Sequence, residues 1–178
     1  MQLSSFTSAP LTPDLLSNSV HIWYAFLDQT DMPIEHFTAS LSLSEKQRAA
    51  SFYFDQDRNR FIIRRSILRS LLGRYLNVFP DTIDFGHTQF GKPYCNHPSQ
   101  NSAIFFNTSH SNGFALYAFT KDCNIGVDLE YITDFPDMKS VAHIFLPRNE
   151  QNILFSLSEE EQTKAFFIFW TRKEAFLK

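Results

Sequence analysis

Residues 105–131 read FFNTSHSNGFALYAFTKDCNIGVDLEY, and the run Ile125-Gly126-Val127-Asp128-Leu129-Glu130 near their end decides how the rest is read. In an extended segment side chains alternate between faces, so Asp128 and Glu130 project to one side and Val127 and Leu129 to the other. Two adjacent like charges repel, and without a cation one of them takes up a proton. A hard divalent ion with oxygen ligands resolves that conflict and suits a phosphate-bearing substrate. The same pair also reads as a solvated strand end carrying two surface acids.

Working outward, Asn107-Thr108-Ser109-His110-Ser111 lies upstream, and Trp170-Thr171-Arg172-Lys173-Glu174-Ala175-Phe176-Leu177-Lys178 lies downstream in a helical pattern. Residues spaced by four share a helix face, so Trp170, Glu174 and Lys178 can point at one spot. Glu174 then offers a third ligand and Lys178 a cation. Read alone, Glu174 and Lys178 are an ordinary surface pair, and Ser-His-Ser a loop bonding to itself.

Four stretches occur in order: Gly91-Lys92-Pro93; Asn107-x-Ser109-His110-Ser111; Gly126-Val127-Asp128-Leu129-Glu130; and Trp170-x-x-Lys173-Glu174-Ala175-x-x-Lys178. Together they resemble the 4′-phosphopantetheinyl transferases of the surfactin-synthetase-activating type, over residues 41–178. The resemblance implies an α/β (α+β) fold of two similar halves packed as a pseudo-dimer, residues 1–103 and 104–178, with the metal site in the second. It implies transfer of the phosphopantetheine arm of coenzyme A to a serine of an acyl or peptidyl carrier protein, releasing adenosine 3′,5′-bisphosphate. Asp128, Glu130 and Glu174 match the metal positions, for magnesium or alternatively manganese. Glu174 also matches the general base, and Lys178 a lysine steadying the phosphate and leaving group; with Asp128 they form the catalytic set. His110 matches a contact to the 3′-phosphate region of coenzyme A, and Ser109, Lys92 and Pro93 match neighbouring contacts. Arg48 and Arg60 fall at or near basic positions that hold that phosphate. Members of this type continue past the last helix, so the second half is expected to be incomplete here, with weakened stability or activity relative to a longer form.

Composition sets the bounds. The 178 residues carry a formal charge of −3, 43% hydrophobic residues and 20 phenylalanines, which suffices for a core. Neither a net basic balance nor aromatic platforms point to nucleic acid. Cys95 and Cys123 have no metal-type spacing and make a poor disulfide framework, which fits a reducing compartment. No apolar run is long enough for a bilayer, and the first residues lack a signal-peptide pattern. The expectation is a cytoplasmic monomer away from membranes.

Along the chain, residues 1–18 are expected to be extended or loosely attached. VHIWYAFL at 20–27 reads as a strand buried on both faces, with Trp23 in the core. Ser42 with Glu45 forms a capping box opening a helix to about 54. A second helix runs from 55 to about 76, with its arginines on a solvated face. Short strands are expected at 83–85, 105–107, 114–119 and 125–130, with a turn at 90–93, a polar loop at 96–102 and a tight turn at 121–124. Helices follow at 138–145, from Pro147 to about 155, and from a second capping box at Ser158 and Glu161 to the last residue.

Three other readings stay open. A non-catalytic module binding coenzyme A or a carrier protein predicts binding without transfer. A hydrolase using Ser109 and His110 lacks the glycine pattern of a nucleophile elbow. Nucleic-acid binding through the arginine helix stands against the charge balance.

Overall fold

The computed structural model describes residues 13–96, 104–121 and 123–178. Most of the segment expected to be loosely attached, residues 97–102 of the polar loop expected at 96–102, and Asp122 of the expected 121–124 turn lie outside these. Leu15, at the edge of that first segment, is buried in the core.

Asn112 and Gly113 both take positive φ, 44° and 80°. A two-residue turn of this kind matches strand twist and fixes the register of a hairpin. It joins β4, Phe105–Ser111, to β5, Phe114–Thr120, so Ser109-His110-Ser111 is strand and not loop. β5 also pairs antiparallel with β1, His21–Phe26, giving the sheet order β1-β5-β4. β1 is therefore an edge strand. Its Ile22 is 63% exposed, against the expectation of burial on both faces, because nothing among the described residues covers that side of it.

The register places Trp23, Phe106, Tyr117 and Phe119 on one face, and α3, Asp55–Leu76, packs there through Ile63, Ile67, Leu71 and Leu72. Each such side chain contributes about 1.5–3 kcal/mol by leaving water. Tyr117 is fully buried and donates its hydroxyl to the Arg64 carbonyl at 3.1 Å, so burial costs it no hydrogen bond. Tyr75 accepts from Trp23 at 2.8 Å, and burial pushes its phenol up to about 12.

Two short helices precede α3: α1, Ile34–Thr38, and α2, Leu43–Ala50. α2 opens with the expected reciprocal box between Ser42 and Glu45 but stops at Ala50, leaving Tyr53 and Phe54 exposed. Asn77, in the left-handed conformation, ends α3. A 3₁₀ turn, Pro80–Thr82, leads to the hairpin β2, Phe85–His87, and β3, Pro93–Cys95. The strand expected at 83–85 starts later because Ile83 is committed to the core and to Arg69, which donates to its carbonyl at 2.8 Å.

A second core gathers Met138, Ala142, Leu146, Leu154 and Phe166 from α4, Met138–Phe145, α5, Arg148–Ser156, and α6, Glu159–Leu177. Pro147 is the cap of α5 rather than its first helical residue, and Ser158 and Glu161 form the second box. The architecture is mixed α+β, with strands only before residue 121 among the described residues. The expected division between 103 and 104 separates β4 and β5 from the strand and helix with which they share the first core. No described helix is long and apolar enough to cross a membrane.

Candidate active site

Residues 125–130 are extended but form no ladder, contrary to the strand expected there. β4 holds them by side chains instead. Asn107, 5% exposed, accepts from the Val127 amide at 2.9 Å, and Ser111 Oγ accepts from the Tyr131 amide at 3.0 Å. Ser109 Oγ donates to Asp128 Oδ1 at 2.9 Å, and Ser111 Oγ donates to Glu130 Oε2 at 3.4 Å. Both serine–carboxylate pairs share a sequence offset of 19, so the period-two reading holds and both acids face β4.

Gly126 brings this segment against the end of α6. A Cβ there would lie 1.8 Å from the Ala175 carbonyl oxygen, a backbone atom that cannot rotate away. Gly126→Ala is expected to destabilise the chain by about 1–3 kcal/mol through overpacking. An unchanged urea midpoint would mean that the two backbones are not in contact.

That contact delivers Lys178 to Asp128. Its Nζ ion-pairs with Asp128 Oδ1 and donates to Ser109 Oγ at 3.1 Å. The Asp128 side chain is 2% exposed, and its Oδ2 is buried with no hydrogen-bond partner. An unpartnered buried carboxylate oxygen is costly, so this atom is a ready ligand for a cation. Glu130 has its proton affinity raised, first by burial and then by the Asp128 charge; the Ser111 bond and Lys178 oppose this, and Glu174 adds to it. Glu130 thus feels the charges of both Asp128 and Glu174. No group of three or more His, Cys, Asp or Glu side chains among the described residues is gathered tightly enough to enclose a metal. Trp170 stacks on Phe145 at 4.5 Å in the second core instead of joining the acids, while Lys173 pairs with Glu150 at 2.9 Å.

On the other face of β4, His110 keeps a solvent-open edge. Burial, followed by the charges of Arg64, Lys178 and Arg60, pushes its imidazole down to about 4, so it is neutral at physiological pH. Arg60 is claimed by Asp28: its Nε donates to Oδ1 at 2.7 Å, and its terminal nitrogen pairs with Oδ2. Arg48 lies over the Phe61 ring at 5.5 Å. The helix pattern puts Arg64 on a solvated face, yet it is half-buried and burial lowers its proton affinity. Its position four residues after Arg60, and so on the same helix face, is the signal that pointed to it.

Lys92 and Pro93 lie on the β2–β3 hairpin, which Lys92 ties to the start of the acidic segment. Gly91, at φ 80°, makes the turn, and Lys92 Nζ donates to the Ile125 carbonyl at 2.8 Å. Burial lowers the Lys92 proton affinity. Phe90, Lys92, Pro93, Asn107, Gly126 and Lys178 are among the walls of a cavity of about 690 Å³.

The chain matches two family models. Residues 28–121 match the 4′-phosphopantetheinyl transferase N-terminal family, and residues 124–178 match the 4′-phosphopantetheinyl transferase superfamily. It is 43% identical over 175 residues to the 4′-phosphopantetheinyl transferase HetI of Nostoc sp. (strain PCC 7120), covering 97% of this chain and 73% of that protein. It is 30% identical to the transferase gsp of Aneurinibacillus migulanus, over 85% of this chain and 61% of that protein. It is 29% identical to the transferase Sfp of Bacillus subtilis, over 81% of this chain and 62% of that protein. The chain thus spans about three fifths to three quarters of the length of these relatives. On the two matched models and the similarity to HetI, it belongs to the 4′-phosphopantetheinyl transferase superfamily of enzymes.

Proposed function

We propose that this chain moves the 4′-phosphopantetheine group of coenzyme A to a serine of an acyl or peptidyl carrier protein, in the manner of the surfactin-synthetase-activating type. The observation that carries the reading is the juxtaposition at Asp128: a buried unpartnered carboxylate oxygen, a neighbouring acid, Glu130, whose proton affinity the Asp128 and Glu174 charges raise, and a lysine already seated on the other oxygen. The order of the four sequence stretches and the identity to Sfp support the subtype. The two family models abut near residues 121–124, and we place the boundary between the two halves of a pseudo-dimer there.

In this reading Asp128, Glu130 and Glu174 would hold magnesium, or alternatively manganese. The orphaned Oδ2 and the mutual repulsion of the acids fit a hard cation. When bound, the ion supplies charge neutralisation at the pyrophosphate. The serine oxygen attacks the phosphorus of the phosphopantetheine group; a new P–O bond forms, and the bond to the leaving adenosine 3′,5′-bisphosphate breaks. Glu174 accepts the serine proton, acting by position because a carboxylate is a weak base at neutral pH. Lys178 offers its ammonium to the charge developing on the transferred phosphate and the leaving oxygen. Ser109 orients Asp128, and Lys92 holds the hairpin against the acidic segment. In the same reading His110, with Arg48 and Arg60, would contact the adenosine phosphate end. A monomer acting in the cytoplasm is part of the same reading.

The test is mass spectrometry of an apo carrier protein incubated with this chain, coenzyme A and magnesium. A mass gain of one phosphopantetheine is expected. Glu174→Gln is expected to slow it on the order of 10²–10⁴-fold, the worth of a positioned general base. Coenzyme A binding with no transfer to any carrier protein would instead support the binding-module reading.

A further inference from the structure

Asn107 and Ser111 belong to the second of the four ordered stretches, yet the resemblance gives neither a role. They flank Ser109 on the β4 face that meets residues 125–131. Asn107 Oδ1 accepts from the Val127 amide at 2.9 Å, and Ser111 Oγ accepts from the Tyr131 amide at 3.0 Å. Each amide follows its acceptor by 20 positions, so the segment runs parallel to β4 and in step with it. Among the described residues no backbone bond joins the segment to β4. Two side-chain oxygens therefore do what a row of ladder bonds does elsewhere in the sheet. Their placement gives them leverage: one bond closes just before Asp128 and the other just after Glu130, so together they bracket both acids. Upstream, Gly126 against Ala175 and Lys92 on the Ile125 carbonyl also hold the chain. Downstream, Tyr131 and Ile132 are exposed, and among the described residues Ser111 makes the last hydrogen bond before Phe135 joins the second core.

We propose that Asn107 and Ser111 are positioning residues that set the register of the acidic segment on β4, and through it the spacing of Asp128 and Glu130 on which the choice of divalent cation depends. The inference rests on the metal-site part of the transferase reading. In a segment of period two, a slip of one residue turns every side chain to the opposite face. Here it would turn Asp128 and Glu130 away from β4 and put Val127 and Leu129 in their place. Removing the Asn107 oxygen also leaves the part-buried Val127 amide without an acceptor, which costs more than the bond itself. Magnesium demands near-ideal octahedral geometry, whereas calcium accepts a larger and more flexible shell of oxygens. A loosened bracket therefore penalises magnesium more than calcium.

The test is manganese binding to the full chain, followed by paramagnetic resonance, with magnesium and calcium as competitors. The wild type is expected to bind manganese and to yield it to magnesium. Asn107→Ala and Ser111→Ala are each expected to weaken magnesium about 10- to 100-fold, the usual cost of removing an outer partner of a metal ligand, and to weaken calcium several-fold less. Ser111→Thr keeps the hydroxyl and should recover most of what Ser111→Ala loses. Ser111 is half-buried at the strand end, so its variants also serve if Asn107→Ala folds poorly. Hydrogen exchange by NMR gives a readout without metal. The Val127 amide should lose protection about tenfold in Asn107→Ala, and the Tyr131 amide likewise in Ser111→Ala, while the amides shared by β4 and β5 keep theirs. Wild-type affinity for all three cations in both alanine variants overturns the proposal and leaves the transferase reading standing. Equal weakening of magnesium and calcium also overturns it, as a general loss of stability. A wild type that binds no divalent cation removes the metal-site reading together with the proposal.

Discussion

Asp128→Asn is expected to lower the rate of phosphopantetheine transfer on the order of 10³-fold or more while leaving the fold in place. The side chain keeps its shape, so Ser109 retains an acceptor, but the charge that holds Lys178 is gone and Oδ2 is no longer an anionic ligand. A metal contributes several kcal/mol of charge stabilisation at a phosphoryl group, and each 1.36 kcal/mol is tenfold in rate. Measured as kcat/KM for an apo carrier protein, with manganese binding followed by paramagnetic resonance, both quantities should fall together. Retained metal binding with lost transfer would shift the role of Asp128 to positioning Lys178, and full activity would sink the assignment of this centre. Glu130 should then titrate lower, since the second cause of its raised proton affinity is the Asp128 charge.

Glu45→Ala carries the largest expected effect on stability, a loss of about 3–5 kcal/mol, because it strips the partner from a buried charge. Arg69 is 2% exposed; its Nε donates to Glu45 Oε2 at 2.7 Å, and its Nη1 donates to both the Pro80 and Ile83 carbonyls. Arg65 pairs with the second Glu45 oxygen and lies 4.0 Å from the Phe85 ring centroid. One carboxylate thus ties α2 to α3 and to the foot of β2. Domains of this size are stable by about 5–15 kcal/mol, so the loss is a large fraction. Urea unfolding checks it, and a midpoint shift worth less than about 1 kcal/mol would place this cluster with ordinary surface pairs.

The same carboxylate predicts a pH dependence with a definite sign. Burial alone would raise its proton affinity, but Arg69, Arg65 and the Ser42 amide outweigh that, leaving the group below its ordinary 4.5. The unfolded chain therefore takes up the proton first as pH falls. Its contribution is present above about 4.5 and is lost as pH drops through the lowered folded value. His110 acts in the same direction, being held to about 4 against an ordinary 6.5, so stability also declines between those values as the unfolded chain charges first. Unfolding curves at pH 4, 5 and 7 should separate the two: Glu45→Ala flattens the acid limb below about 4.5, and His110→Asn the limb above it.

Much of the local structure was legible because it is written in neighbouring residues. Ser42 with Glu45 and Ser158 with Glu161 announce their helices, and the helix over Asp55–Leu76 follows from apolar positions recurring at helical spacing. The alternation of Asp128 and Glu130, and the spacing of Glu174 and Lys178, likewise follow from backbone periods that need no partner. The family followed from four short stretches in order, each tied to phosphate or metal chemistry.

What the sequence by itself determined is thus the set of elements and the residue types that gather near Asp128. Tertiary structure decided their pairings. Residues 125–130 became a side-chain-tethered segment rather than a ladder strand because Asn107 and Ser111 occupy the amides that a strand partner would take. Arg60 was neutralised by Asp28, 32 positions earlier, whereas Arg64 found no such partner among the described residues. Trp170 went to the second core and Lys178 to the acids, although both lie on one helical stripe. Charges, ladders and orphaned atoms are satisfied through space, and only the folded chain shows which of several chemically equivalent partners arrives within hydrogen-bond reach.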